Sequence, residues 1–64
     1  MKVVRRGRTW TATGYGFRFE SRTLEGLFRM VRAGLEPTAK EEYGLDYNNY
    51  VDEEIQILRG QVEA

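Results

Sequence analysis

Apolar positions along the chain change their period once, near residue 22. Before it they alternate with polar ones, as in Trp10-Thr11-Ala12-Thr13 and Phe17-Arg18-Phe19-Glu20, the two-residue repeat of half-buried strands. After it, Leu24, Leu27, Phe28, Val31 and Leu35 fall at i, i+3, i+4, i+7 and i+11, which is one face of a helix. The Ser21 hydroxyl is placed to cap the first turn. Gly34, with Pro37 shortly beyond, signals the end. The pattern predicts a helix over residues 22–33, and the rest of the chain is organised around it.

The N-terminal part reads as a meander with strands over 2–5, 8–13 and 16–20. Arg6-Gly7 and Gly14-Tyr15 are the expected two-residue turns, glycine supplying the positive φ that such turns need. With these turns Val3 pairs with Trp10, Trp10 with Phe19, and Ala12 with Phe17. Val3, Trp10, Ala12, Phe17 and Phe19 then share one face, which should pack on the helical stripe. Val4, Arg6, Thr9, Thr11, Thr13, Arg18 and Glu20 occupy the other. The alternative is a single longer hairpin with Arg5 to Arg8 as a frayed arm.

Beyond Leu35, Pro37 is well placed to open a short helix over 37–43 that Gly44 would stop. Tyr47, Val51, Ile55, Leu58 and Val62 recur at helical spacing, and Asp52, Glu53 and Glu54 lie where the macrodipole favours acids. This predicts a second helix over 50–59. A fourth strand over 54–58 competes with it, because Ile55 and Ile57 also alternate. Gln61 to Ala64 are expected to fray. The fold class is therefore α+β: one domain, residues 1–64, with an antiparallel meander packed on a central amphipathic helix and a C-terminal helix or strand.

Composition removes most chemistry. With 64 residues, no cysteine and no histidine, the chain has no thiolate, no disulfide and none of the commonest neutral-pH bases. No glycine-rich phosphate loop or dinucleotide fingerprint is present, and Gly14-Tyr15-Gly16 reads as a turn. Ser21, the single serine, is accounted for as a helix cap. Glu41/Glu42 and Asp52/Glu53/Glu54 read as solvated helix faces, since the spacing of a calcium loop is missing. No enzyme activity, cofactor or metal is expected. Nothing resembles a signal peptide or membrane span, so a soluble cytoplasmic protein without membrane contact is expected.

The ten basic and ten acidic residues cancel, yet they are segregated. Residues 1–34 hold eight basic and two acidic side chains, and residues 35–64 hold two and eight. Such a split invites partners of definite charge, unless the two halves neutralise each other.

Two contact surfaces follow. Opposite the core stripe, Gly26, Met30 and Ala33, flanked by Arg22 and Arg29, form an apolar strip suited to a protein partner or a second copy. The tyrosines 15, 43, 47 and 50 add residues typical of interfaces. The first functional expectation is thus a small regulator or inhibitor that docks on a protein, of the kind phages and mobile elements encode. The alternative is a nucleic-acid-binding module using Arg5, Arg6, Arg8, Thr11 and Arg18, with Trp10 or Tyr15 available for stacking. Three strands followed by a helix resemble the small sheet domains that plant transcription factors and phage integrases place in the major groove. Ala33-Gly34-Leu35-Glu36-Pro37 followed by Tyr43-Gly44-Leu45 resembles the rhythm of small antitoxin-type helix-turn-helix domains. Lys40 and an acidic second helix depart from that pattern, and neither resemblance assigns a family.

Overall fold

The computed structural model describes residues 1–63, with side chains through residue 62. Three antiparallel strands, β1 (Lys2–Arg6), β2 (Thr9–Gly14) and β3 (Phe17–Ser21), form a sheet in the order β1-β2-β3. Helix α1 (Leu24–Tyr43) follows, then a 3-10 turn (Gly44–Asp46) and helix α2 (Tyr47–Glu63). Both helices cover one face of the sheet: α1 packs on β2 and β3, while α2 packs on β1 and along α1. The other face of the sheet is uncovered.

Both turns sit one residue later than predicted. Arg6 pairs with Thr9 across Gly7-Arg8, and Gly14 pairs with Phe17 across Tyr15-Gly16. Val3 therefore faces Ala12, Arg5 faces Trp10, Ala12 faces Phe19, and Trp10 faces Ser21. Moving a two-residue turn by one position changes the pairing by two, so every side chain keeps its face. The predicted apolar face survives with its partners exchanged. The later first turn also completes a five-pair ladder from Lys2 to Arg6, so no frayed arm forms. Tyr15 and Gly16 both have positive φ (50° and 81°), the requirement of a type I′ turn.

Helix α1 is much longer than the predicted 22–33. Its cap is Thr23, whose Oγ1 accepts from the Gly26 N–H at 3.1 Å; Ser21 Oγ instead accepts from the Thr23 N–H at 3.3 Å. Neither Gly34 nor Pro37 ends it, and the expected short helix over 37–43 is its last turns. The buried stripe explains why: Leu27, Phe28, Val31 and Leu35 continue to Ala39, all at most 4% exposed. An internal proline costs about 3 kcal/mol and frees the carbonyl four residues back. Pro37 and Ala33 are both exposed, so that carbonyl is available to water, and burial of Leu35 and Ala39 offsets the rest. Gly44 does stop the helix, its N–H reaching the Lys40 carbonyl.

Helix α2 starts and ends beyond the predicted 50–59, and residues 54–58 are helical, so no fourth strand exists among the described residues. Val51, Ile55 and Leu58 complete the core. Residues 61–63, expected to fray, are the last turn of the helix, and Ala64 lies outside the described residues. Gln61 holds the free edge of β1. Its Oε1 accepts from the Val3 N–H at 3.0 Å, and its Nε2 donates to the Met1 carbonyl at 2.8 Å. One side-chain amide thus occupies backbone groups that would otherwise template another strand. No described helix is long and apolar enough to cross a membrane.

Candidate functional site

The uncovered sheet face carries the residues that alternation assigns to it. Val4 faces Thr11, Thr13 faces Arg18, and Arg6 faces Thr9. Val4, Arg6, Thr11, Thr13 and Arg18 line a shallow groove of about 240 Å³. The Arg18 guanidinium donates to Glu20 at 2.6 Å; Arg6 has no carboxylate partner among the described residues.

A second concavity lies at the end of the sheet. Because Trp10 pairs with both Arg5 and Ser21, the Gly7-Arg8 turn stands beside the entrance to α1. Arg5, Arg8, Thr9, Trp10 and Arg22 line a cleft of about 520 Å³ there. Arg5 lies on the helix-covered side of the strand, not on the outer face. Its Nε donates to the Gly7 carbonyl at 3.1 Å, and its guanidinium carbon stands 5.4 Å from the Trp10 ring centre, within cation–π range. Of the predicted nucleic-acid set, Arg6, Thr11 and Arg18 thus share the groove, while Arg5 and Arg8 share the cleft. Thr9 belongs to the outer face and also lines the cleft, so the two surfaces are continuous.

Among the described residues the segregated charges meet along the seam between the helices. Arg32 pairs with Asp52, and Arg59 pairs with Glu25 at 3.1 Å. Arg59 holds the Glu25 carboxyl below the usual range, and Glu36, 2.8 Å from Lys40, raises that ammonium. These pairs are exposed and contribute little to stability. Lys2, Arg5, Arg6, Arg8, Arg22 and Arg29 have no ion-pair partner among the described residues. All six lie on the sheet, its first turn, the link between β3 and α1 or the N-terminal third of α1, and all but Lys2, which pairs with Thr13, lie toward the first turn and the start of the helix. Partial neutralisation therefore leaves a cationic end.

On the back of α1, Met30 is 45% exposed, and Ala33, Arg22 and Arg29 are exposed beside it. Gly26 differs. A Cβ there would stand 2.6 Å from Ser21 Oγ and 2.7 Å from Thr23 Oγ1. The space over it is filled by the chain's own cap, so Gly26 is the least open residue of the strip.

At the opposite end the tyrosines gather. Tyr43 and Tyr50 stack with ring centres 4.5 Å apart, and the Tyr15 hydroxyl donates to Glu54 Oε1 at 3.2 Å. Glu54 is 8% exposed, a correction to its reading as part of a solvated face. The signal was present: Val51, Glu54, Ile55 and Leu58 are spaced i, i+3, i+4 and i+7, so Glu54 shares their face. The bond to Glu54 raises the Tyr15 phenol above its ordinary value; burial, and then the Glu54 charge, raise Tyr50. A tyrosine whose folded pKa is raised contributes its bond below the ordinary tyrosine range and loses it as pH rises through the shifted value.

Among the described residues no group of three or more acidic side chains is close enough to hold a metal ion. The Ser21 hydroxyl is engaged at the head of α1. What the arrangement offers chemically is two contrasting ends, one cationic and one aromatic and acidic. No protein-family model, curated protein or solved structure matches the chain.

Proposed function

We propose that this protein is a non-catalytic, cytoplasmic nucleic-acid-binding module that uses its open sheet face and the adjoining cleft. One observation carries the reading: the six cations without ion-pair partners are confined to these surfaces and the adjoining start of α1. Phosphates would be held by Arg6, Arg8 and Arg22, and threonine hydroxyls along the groove would add contacts. Trp10, already stacked by Arg5, offers a face for an unpaired base.

Gel shifts with mixed DNA and RNA pools test this. Phosphate contacts from about three arginines give a salt slope near −2.7, so affinity should fall by roughly forty-fold between about 50 and 200 mM salt. Arg6→Ala with Arg8→Ala should flatten that slope by about two. Both side chains are exposed, and melting should stay within about 0.5 kcal/mol of the parent. Absence of any shift at the lower salt ends the reading.

A protein-docking regulator or inhibitor is the second reading, favoured by Met30, Ala33 and Pro37, all exposed on α1 just beyond the exposed Arg29. The flanking charges suit an acidic partner surface. Met30→Glu should leave folding unchanged within about 0.5 kcal/mol. It should weaken capture of such a partner by orders of magnitude, because a charge would be buried unpaired. Retention of the same captured proteins by the variant excludes this face.

A further inference from the structure

We propose that the notch between the Tyr15-Gly16 turn and the α1–α2 junction receives the guanidinium of an arginine side chain on a basic protein partner. Tyr15, Phe17, Leu35, Thr38, Glu42 and Tyr50 line a cavity of about 370 Å³ there. Three of these six are aromatic, and Tyr43 backs Tyr50 by stacking on it. Glu42 is exposed beside them. Glu54, more than nine-tenths buried, holds the Tyr15 wall through the hydroxyl. No Lys or Arg lies within ion-pair distance of Glu42 or Glu54 among the described residues.

The chemistry of the lining selects the occupant. Glu54 fixes the Tyr15 wall, and the carboxylate open to an occupant is that of Glu42, which lines the notch. Tyrosine faces attract cations, and guanidinium, flat and weakly hydrated, stacks on them better than ammonium does. Glu42 can accept from its N–H groups. Glu41, Asp46 and Glu53 also lack ion-pair partners among the described residues, which gives this end a field that draws cations. Tyr15 keeps a left-handed backbone (φ 50°) that most non-glycine residues avoid. Its bond to Glu54 holds the ring at the mouth in that conformation. The notch is lined from the C-terminal half of α1, whereas the cleft of Arg5, Arg8 and Arg22 lies at the other end of the sheet, beside the start of that helix, so the inference does not depend on nucleic-acid binding.

The test is an NMR titration that follows the ring resonances of Tyr15 and Tyr50. The probes are the blocked tripeptide acetyl-Gly-Arg-Gly-amide and the same peptide with neutral citrulline in place of arginine. Saturable shifts with the arginine peptide alone are expected. Glu42→Gln, at an exposed position that leaves folding intact, should weaken them by roughly twofold to thirtyfold. The proposal is overturned if neither peptide shifts these rings, if both shift them equally, or if Glu42→Gln binds like the parent. It is also overturned if the rings shift on concentrating the protein alone while the peptides have no effect, which would make the occupant a second copy. Shifts produced by nucleic acid and not by the arginine peptide overturn it as well.

Discussion

Phe28→Ala is expected to leave the protein largely unfolded at room temperature. Phe28 is 4% exposed in a core completed by Leu27, Val31, Leu35, Ala39, Val51, Ile55, Leu58 and Ala12. Truncating a buried phenylalanine removes its transfer free energy and leaves a cavity, together about 3–5 kcal/mol. A domain of this size has only about 3–5 kcal/mol to lose. The site is also unusually connected. Arg59 lies over the ring at 4.6 Å and grips Glu25 from the same position, so the lost ring loosens the seam between the helices. Urea unfolding followed by circular dichroism measures the effect. Phe28→Leu refills most of the volume and should cost less than about 1.5 kcal/mol. If Phe28→Ala melts within a few degrees of the parent, the core is centred elsewhere.

The fold class was legible because period is a property of many residues at once. The switch from alternation to helical spacing needs no single residue to be read correctly, and it placed the sheet, both helices and the core stripe. The meander faces were robust for a related reason: an error of one residue in a turn preserves parity, so Arg6, Thr11 and Arg18 stayed together on the outer face. Boundaries rested on single residues and failed. Gly34 and Pro37 read as terminators because a chain alone does not reveal that Phe19 needs the space over Gly34. Nor does it reveal that Leu35 and Ala39 bury enough surface to carry a helix through a proline. Ser21 and Thr23 are both competent caps, and only the path of β3 decides between them.

The binding surfaces divide along the same line. The cationic end was visible as a charge asymmetry and alternation already kept Arg5 off the outer face, but the cleft depends on register, which sets Arg5 opposite Trp10. The aromatic end was half visible. Four tyrosines were evident as a surplus, yet Tyr15 in a left-handed turn residue runs against propensity, and glycine was the natural choice for that place. Such a departure from the local rule marks positions held by tertiary contacts. Here the contact is Glu54, which charge patterning assigned to solvent although its spacing from Val51, Ile55 and Leu58 puts it on the buried face. The periodicity was the better guide, because an acid on the buried face of an amphipathic helix must find a donor there.

Gly34→Ala separates helix propensity from packing, and the two predict opposite signs. Within a helix, alanine is favoured over glycine by about 1 kcal/mol, so propensity alone makes the variant more stable. In the structure a Cβ at residue 34 would stand 2.6 Å from Phe19 Cε1 and closer still to Cζ. A phenyl ring cannot bend out of the way. It must swing as a whole, and it is held by stacking on Phe17, with centres 5.5 Å apart, and by its place opposite Ala12. Overpacking of this kind costs about 1–3 kcal/mol. An overlap of about 1 Å at a rigid neighbour belongs in the upper part of that range, so a net loss of about 2 kcal/mol is expected. The companion variant Phe19→Leu with Gly34→Ala removes the obstructing ring end and should recover part of the loss. Those two sites are in contact, so their effects should be non-additive by 0.5 kcal/mol or more, roughly. Thermal unfolding of the parent, the two single variants and the double variant measures that coupling. A Gly34→Ala protein that melts above the parent would mean that Phe19 does not rest on α1, and the packing of β3 against the helix would need to be redrawn.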